Sequence, residues 1–218
     1  MRDGSRGRPD AVVEPVAGVV EWFRATGRYV VSFAGFGELG YRDRRLVPRL
    51  CRELMARWDP SQVLVQCGTL TRVGGHDGIA AVYPIAKERG IMTAGIHPSV
   101  AHDFRDTHQV SPFCDRAFFV PDRSWGGFLR SGAPSPTLRA VLAVSNELIV
   151  IGGGRHAADE LEAFLQRGRK ARYFPAQMEP RFAAEWSRKA RVEIVDPRGE
   201  ALGVWERRSR HPPAVPSS

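Results

Sequence analysis

The sequence predicts an α/β fold, a three-layer sandwich with a mostly parallel sheet between two layers of helices. Three observations predict it. The strand candidates "YVVSFAGFG" (29–37), "QVLVQCG" (62–68) and "ELIVIGGG" (147–154) are continuous apolar runs, not alternating ones. Such runs belong to strands buried on both faces. Stretches with helical spacing follow them, as parallel crossovers require. And the runs end in glycine, where a chain turns tightly from strand to helix.

The elements follow in order. Residues 12–27, "VVEPVAGVVEWFRATG", read as an amphipathic helix with Pro15 near its start. After the strand at 29–37 comes a helix at 43–58, which Pro48 either kinks or marks at its true first turn. The strand at 62–68 leads to a helix at 78–90 and a strand at 91–98, "IMTAGIHP". A further strand falls at 116–122, a helix at 138–146, the strand at 147–154 and a helix at 157–168. A strand at 170–176, a helix at 180–190 and an edge strand at 191–196 complete the series. With right-handed crossovers this is a Rossmann-like domain, whose ligand lies outside the carboxyl ends of the strands. Residues 1–11 read as a flexible N-terminus, 12–198 as one Rossmann-like domain, and 205–218 as a disordered basic tail of Arg, Pro and Ser.

The chain has 218 residues, 43% hydrophobic and 26% charged, an ordinary globular mixture. No apolar run is long enough to cross a bilayer, and "MRDGSRGRPD" has no apolar segment of a secretory signal. Cys51, Cys67 and Cys114 are widely spaced and read as reduced thiols of a cytoplasmic protein. The net charge is +8, but the first ten residues carry +1 of it and Arg207, Arg208 and Arg210 carry +3. The balance left to the middle suits an anionic small molecule as well as a polymer.

Three loops lie at carboxyl ends of strands. In "FAGFGELGYRDRR" (33–45), Gly35 and Gly37 offer backbone N–H groups to a phosphate, although the pattern is neither G-x-G-x-x-G nor a P-loop. In "CGTLTRVGGHDG" (67–78), Gly74, Gly75 and Gly78 precede a helix, and Thr69 and Arg72 add polar contacts. In "VIGGGRHAADELEAF" (150–164), Gly152, Gly153 and Gly154 leave the strand end bare before Arg155 and His156. Asp159 and Glu160 then read as first-turn acids. The macrodipole accounts for Asp159, whereas Glu160 follows a glycine run that leaves room for a ligand.

Two of these stretches together resemble a known family. "GGHDGIAAVYPIAKERGIMTAGIHP" and "ELIVIGGGRHAADELEAF" are similar, in order and spacing, to the two glycine-rich motifs of Lonely Guy (LOG) proteins, members of the SLOG superfamily. The resemblance covers about residues 29–176. It implies a phosphoribohydrolase, which splits a nucleoside 5′-monophosphate into free base and ribose 5-phosphate, and a homodimer, with no cofactor and no metal. It places the catalytic glutamate at Glu160 and the catalytic arginine nearest Arg139, about two residues closer than the family spacing. His156 and Ala157 stand where the family has glycine and threonine, so Arg155 or His156 would read a different anion.

Under that reading Glu160 stabilises the oxocarbenium charge that develops on the ribose, and an arginine holds the phosphate. Two other functions stay open. One is a SLOG-type sensor that binds a nucleotide derivative, such as an ADP-ribose-like signal, without cleaving it. The other is single-stranded DNA binding, against which stands the lack of a basic groove interleaved with aromatic residues. His97, His102 and His108 with Asp103 and Asp106 match no metal-ligand spacing, although His97, at a strand end, is placed to face a ligand. Tyr41, Trp125 and Phe128 are candidates to stack a base, with core packing the commoner fate of such residues. Cys67 reads as packing.

Overall fold

The computed structural model describes residues 10–37, 40–72, 78–104, 106–190 and 196–210. Its strands are β1 (Asp10–Val13), β2 (Tyr29–Gly35), β3 (Val63–Cys67), β4 (Thr71–Arg72), β5 (Met92–Pro98), β6 (His108–Gln109), β7 (Arg116–Val120), β8 (Glu147–Ile151) and β9 (Lys170–Phe174). Its α-helices are α1 (Val16–Ala25), α2 (Leu46–Met55), α3 (Val82–Glu88), α4 (Pro136–Val144), α5 (Arg155–Gln166), α6 (Pro180–Ala190) and α7 (Glu200–Arg210). Short 3-10 turns at Gly78–Ala81 and Ser99–Phe104 precede α3 and follow β5.

Seven strands form one sheet in the order β1-β7-β5-β3-β2-β8-β9, every described pairing in it parallel. The alternation of side chains along each strand divides the core in two. Val31, Phe33, Val65, Ile149 and Ile151 face α2 and α3. Val30, Ala34, Leu64, Phe118, Leu148 and Val150 face α1, α4, α5 and α7. Each fully buried Phe, Leu or Ile on these faces contributes roughly 1.5–3 kcal/mol. The layering is the three-layer Rossmann-like α/β sandwich that the apolar runs predict.

The chain steps outward from β2 through β3, β5 and β7, then returns to the other side of β2 for β8 and β9. The reversal leaves a crevice at the carboxyl ends beside Gly35 and Ile151, which are register partners. A small antiparallel ribbon, with Thr71 opposite Gln109 and Arg72 opposite His108, ties the loop after β3 to the loop after β5.

Both ends of the chain depart from the sequence reading. Residues 10–13 are an edge strand paired with β7, not part of a flexible terminus or of a helix begun at residue 12. The helix starts at Val16 because Pro15, at φ −58°, takes the N-cap. Pro48 is the third residue of α2, in the first turn, where its missing N–H costs nothing. Residues 205–210, expected in a disordered tail, are helical in α7, so the folded part runs past residue 198. Ala201, Leu202 and Val204 bury one side of α7, and Trp205 stacks on Tyr173 at 6.0 Å. Glu200 in its first turn and Arg207, Arg208 and Arg210 in its last complement the helix dipole. The edge strand expected at 191–196 falls at 191–195 outside the described residues. Among the described residues no helix is long and apolar enough to cross a membrane.

Candidate functional site

A cavity of about 450 Å³ opens at the carboxyl ends of β2, β3 and β5, beneath the starts of α4 and α5. Its walls are largely apolar, with Phe33, Ala34, Leu70, Ile79, Ile96 and Leu138 among them. The polar groups reaching it are few: Thr69, His97, His108, Thr137, His156 and Glu160. An apolar hollow with a few polar groups is the ordinary form of a small-molecule site.

Glu160 reaches this cavity because α5 begins at Gly154, its N-cap, and not at residue 157. That start puts His156 and Ala157 in the first turn and Glu160 in the second, all facing the cavity. Among the described residues the Glu160 carboxyl takes part in no hydrogen bond or ion pair. Withdrawal from water, and then the adjacent Asp159 carboxylate, push it up to about 7. A carboxyl group half-ionised near neutrality is suited to acid–base chemistry. Asp159 is fully engaged instead. Its Oδ1 accepts from Arg155 Nε at 3.0 Å and its Oδ2 from the Phe128 N–H at 3.0 Å. It too lies in the second turn, beyond the reach of the first-turn dipole effect invoked for it, and it anchors a loop.

That loop, 122–135, closes one side of the cavity with Trp125, Gly126 and Gly127. Asp122 holds its start, accepting from the Ser124 N–H at 2.8 Å, the Ser124 hydroxyl at 2.5 Å and the Thr137 N–H at 3.0 Å. Burial works against ionisation of Asp122, but these donors outweigh it and hold the carboxyl at about 2. Ser135 caps α4 by accepting from the Leu138 N–H, with Pro136 in the first turn. Between these anchors Trp125 adopts φ +64°, the one positive φ of a non-glycine residue among those described. The conformation costs roughly 1–2 kcal/mol, which the anchored loop must supply. Gly127, at φ +66°, lies so close to Asp159 Oδ2 that a side chain there would collide with it.

The histidines divide by environment. His97 is fully buried, and its Nδ1 donates to the Gly68 carbonyl at 3.2 Å. Burial lowers it to about 4, so it is neutral at pH 7. Its ring leans back over Gly95, where a Cβ would lie 2.5 Å from Nε2. His102 packs on Phe119 at 3.9 Å. His108 accompanies the cavity through the β4–β6 ribbon, and its Nδ1 lies 2.8 Å from the Thr107 hydroxyl. Among the described residues no group of three or more His, Cys, Asp or Glu is placed to hold a metal ion. The three cysteines are buried and free, and burial raises Cys67, at the cavity wall, well out of the range of a nucleophilic thiol.

The structure brings together Gly35, Gly37, Thr69, His97, Trp125, His156 and Glu160 of the ligand contacts singled out in the sequence. It sends others elsewhere. The Tyr41 hydroxyl fills the turn after Gly35, donating to the Ile151 carbonyl at 2.9 Å and accepting from the Phe36 N–H at 3.1 Å. Gly78 packs directly on Gly37, and the Ile79 N–H donates to the Phe36 carbonyl. Gly152, Gly153 and Gly154 do not line the cavity. A Cβ at Gly152 would lie 2.6 Å from the Phe36 ring and one at Gly153 2.5 Å from the Ala157 Cβ, and Gly199 and the Ala201 N–H pack on the Gly153 carbonyl. The chain's own C-terminal segment occupies the place expected for a phosphate. Arg139 is exposed on α4 and Arg155, with its side chain 74% exposed, pairs with Asp159; neither lines the cavity. Gly74, Gly75 and the Arg72 side chain lie outside what is described. Trp125, a stacking candidate in the sequence, and Phe104, which the sequence did not mark, complete the walls.

No family model matches the chain, and no curated protein does. Two solved structures of the Moco carrier protein from Chlamydomonas reinhardtii are similar to it. One is 16% identical over 84% of this chain and 99% of that one, with a TM-score of 0.47. The other is 17% identical over 82% and 96%, with a TM-score of 0.45. The class that this chain's own sheet and cavity define is a Rossmann-like α/β protein with a largely apolar cavity at the carboxyl edge of its sheet.

Proposed function

We propose that this chain binds a nucleotide or nucleotide-derived small molecule in the cavity, and that Glu160 acts as a hydrolase group on its N-glycosidic bond. The observation that carries the reading is the Glu160 carboxyl itself: it faces the cavity, has no partner among the described residues, and is held at about 7. In its ionised form it stabilises the positive charge that grows on the ribose as the base departs, and it accepts a proton from an attacking water. With no Lys or Arg among the described lining residues, His156, in the first turn of α5, meets the anionic end of the ligand. In this version no role falls to Arg139. The homodimer implied by the LOG resemblance belongs to the same proposal and is read by sedimentation.

The test is incubation of the purified chain with the four common nucleoside 5′-monophosphates, followed by chromatography. Release of free base and ribose 5-phosphate supports hydrolysis. Binding with every nucleotide recovered intact overturns hydrolysis and leaves the sensor reading. Binding of single-stranded DNA alone, with a steep salt dependence, overturns both.

A further inference from the structure

We propose that Trp125, set beside Phe104, is the surface on which the planar ring of the ligand stacks, an inference that rests on reading the cavity as a nucleotide site. Large aromatic side chains in this protein are mostly buried, yet Phe104 and Trp125 are each 44% exposed, and both line the cavity. Their ring centres are 4.9 Å apart with planes inclined at 57°, so the two rings do not cover each other face to face. An aromatic face left open at a cavity wall takes up a flat heteroaromatic ring by stacking, with little demand on the identity of the ring.

The backbone gives a second, independent reason. Trp125 holds its positive φ between the hydrogen bonds of Asp122 and Asp159, a conformation that glycine would adopt without strain. Strain of this kind persists where the surroundings over-determine it, and it gathers at binding sites. Elsewhere in the lining Ala34, Gly35 and Gly37 present small side chains or none, which leaves room for a flat ligand.

Calorimetric titration of the full chain and two variants, Trp125→Gly and Trp125→Phe, tests this with the four common nucleoside 5′-monophosphates and with ribose 5-phosphate, which carries no base. Glycine relieves the φ, so Trp125→Gly is expected to melt no lower than the parent. The expected result is a loss of at least tenfold in nucleotide affinity for Trp125→Gly and recovery of most of it in Trp125→Phe. Ribose 5-phosphate should behave alike in all three proteins. Nucleotide affinity unchanged in Trp125→Gly overturns the stacking role and leaves the nucleotide site standing. An equal loss for ribose 5-phosphate also overturns it, because Trp125 would then only shape the loop. Failure of every nucleotide to bind the parent chain overturns the nucleotide reading and this inference with it.

Discussion

Asp159 and Glu160 are adjacent on α5 and have opposite surroundings. The carboxyl of Asp159 is consumed by Arg155 and by the N–H of Phe128, while that of Glu160 meets the cavity with no partner among the described residues. One turn of helix thus supplies both the anchor of the 122–135 loop and the carboxyl that faces the cavity. The first also bears on the second, since the Asp159 charge adds to the cost of ionising Glu160.

If the ionised Glu160 is the active form, kcat/KM for nucleotide cleavage follows its titration. The rate should rise about tenfold per pH unit below 7 and level off above it. A profile flat from pH 5 to 8 would remove Glu160 from the chemistry.

The same group sets a stability dependence. A carboxyl raised to about 7 in the folded chain against about 4.5 in the unfolded chain binds more protons when folded. Its contribution therefore weakens folding progressively from pH 4.5 to 7, and fully above that range. Glu160→Gln should stabilise the chain by about 2–3 kcal/mol at pH 8 and hardly at all at pH 4. Denaturant melts of both proteins at the two pH values read the difference directly.

Gly153 separates packing from ligand binding in the third glycine loop. Gly153→Ala places a methyl against Ala157 at φ +114° and should cost about 2 kcal/mol or more. Gly27→Ala, at φ +64° with open space around it, should cost only about 1 kcal/mol. Equal melting temperatures for the two variants would contradict a packing role for Gly153.

Asp122 is the chief anchor of the Trp125 loop. Asp122→Ala leaves the N–H groups of Ser124 and Thr137 without their acceptor and should destabilise the fold by about 2–3 kcal/mol. Hydrogen exchange should quicken at 124–128 and stay unchanged in β8. Uniform quickening throughout the sheet would mean that the loop and the core open together.

The sheet was legible because β2, β3 and β8 are short, continuous apolar runs, the pattern that burial on both faces of a parallel sheet demands. Glu160 was legible because a glycine run ahead of a helix marks a carboxyl-end loop. The use of those glycines was not. Gly152 and Gly153 would look alike in sequence whether they meet a phosphate or, as here, Phe36 and Ala176 in the one case and Gly199 and Ala201 in the other, and only tertiary folding decides which. The valines on both sides of Pro15 read as one helical stripe, although the proline separates a strand from a helix. α7 was hidden because "WERRSR" is polar, while its buried side is carried by Ala201, Leu202 and Val204 just before it. The positive φ of Trp125 left no mark beyond the two glycines that follow it.

The most direct test of the role of Glu160 compares the parent chain with Glu160→Gln, measuring nucleotide binding by calorimetry and base release by chromatography on the same samples. Glu160→Gln is expected to bind within a fewfold of the parent and to release base at least a hundredfold more slowly. Release of base by Glu160→Gln at the parent rate would contradict that role.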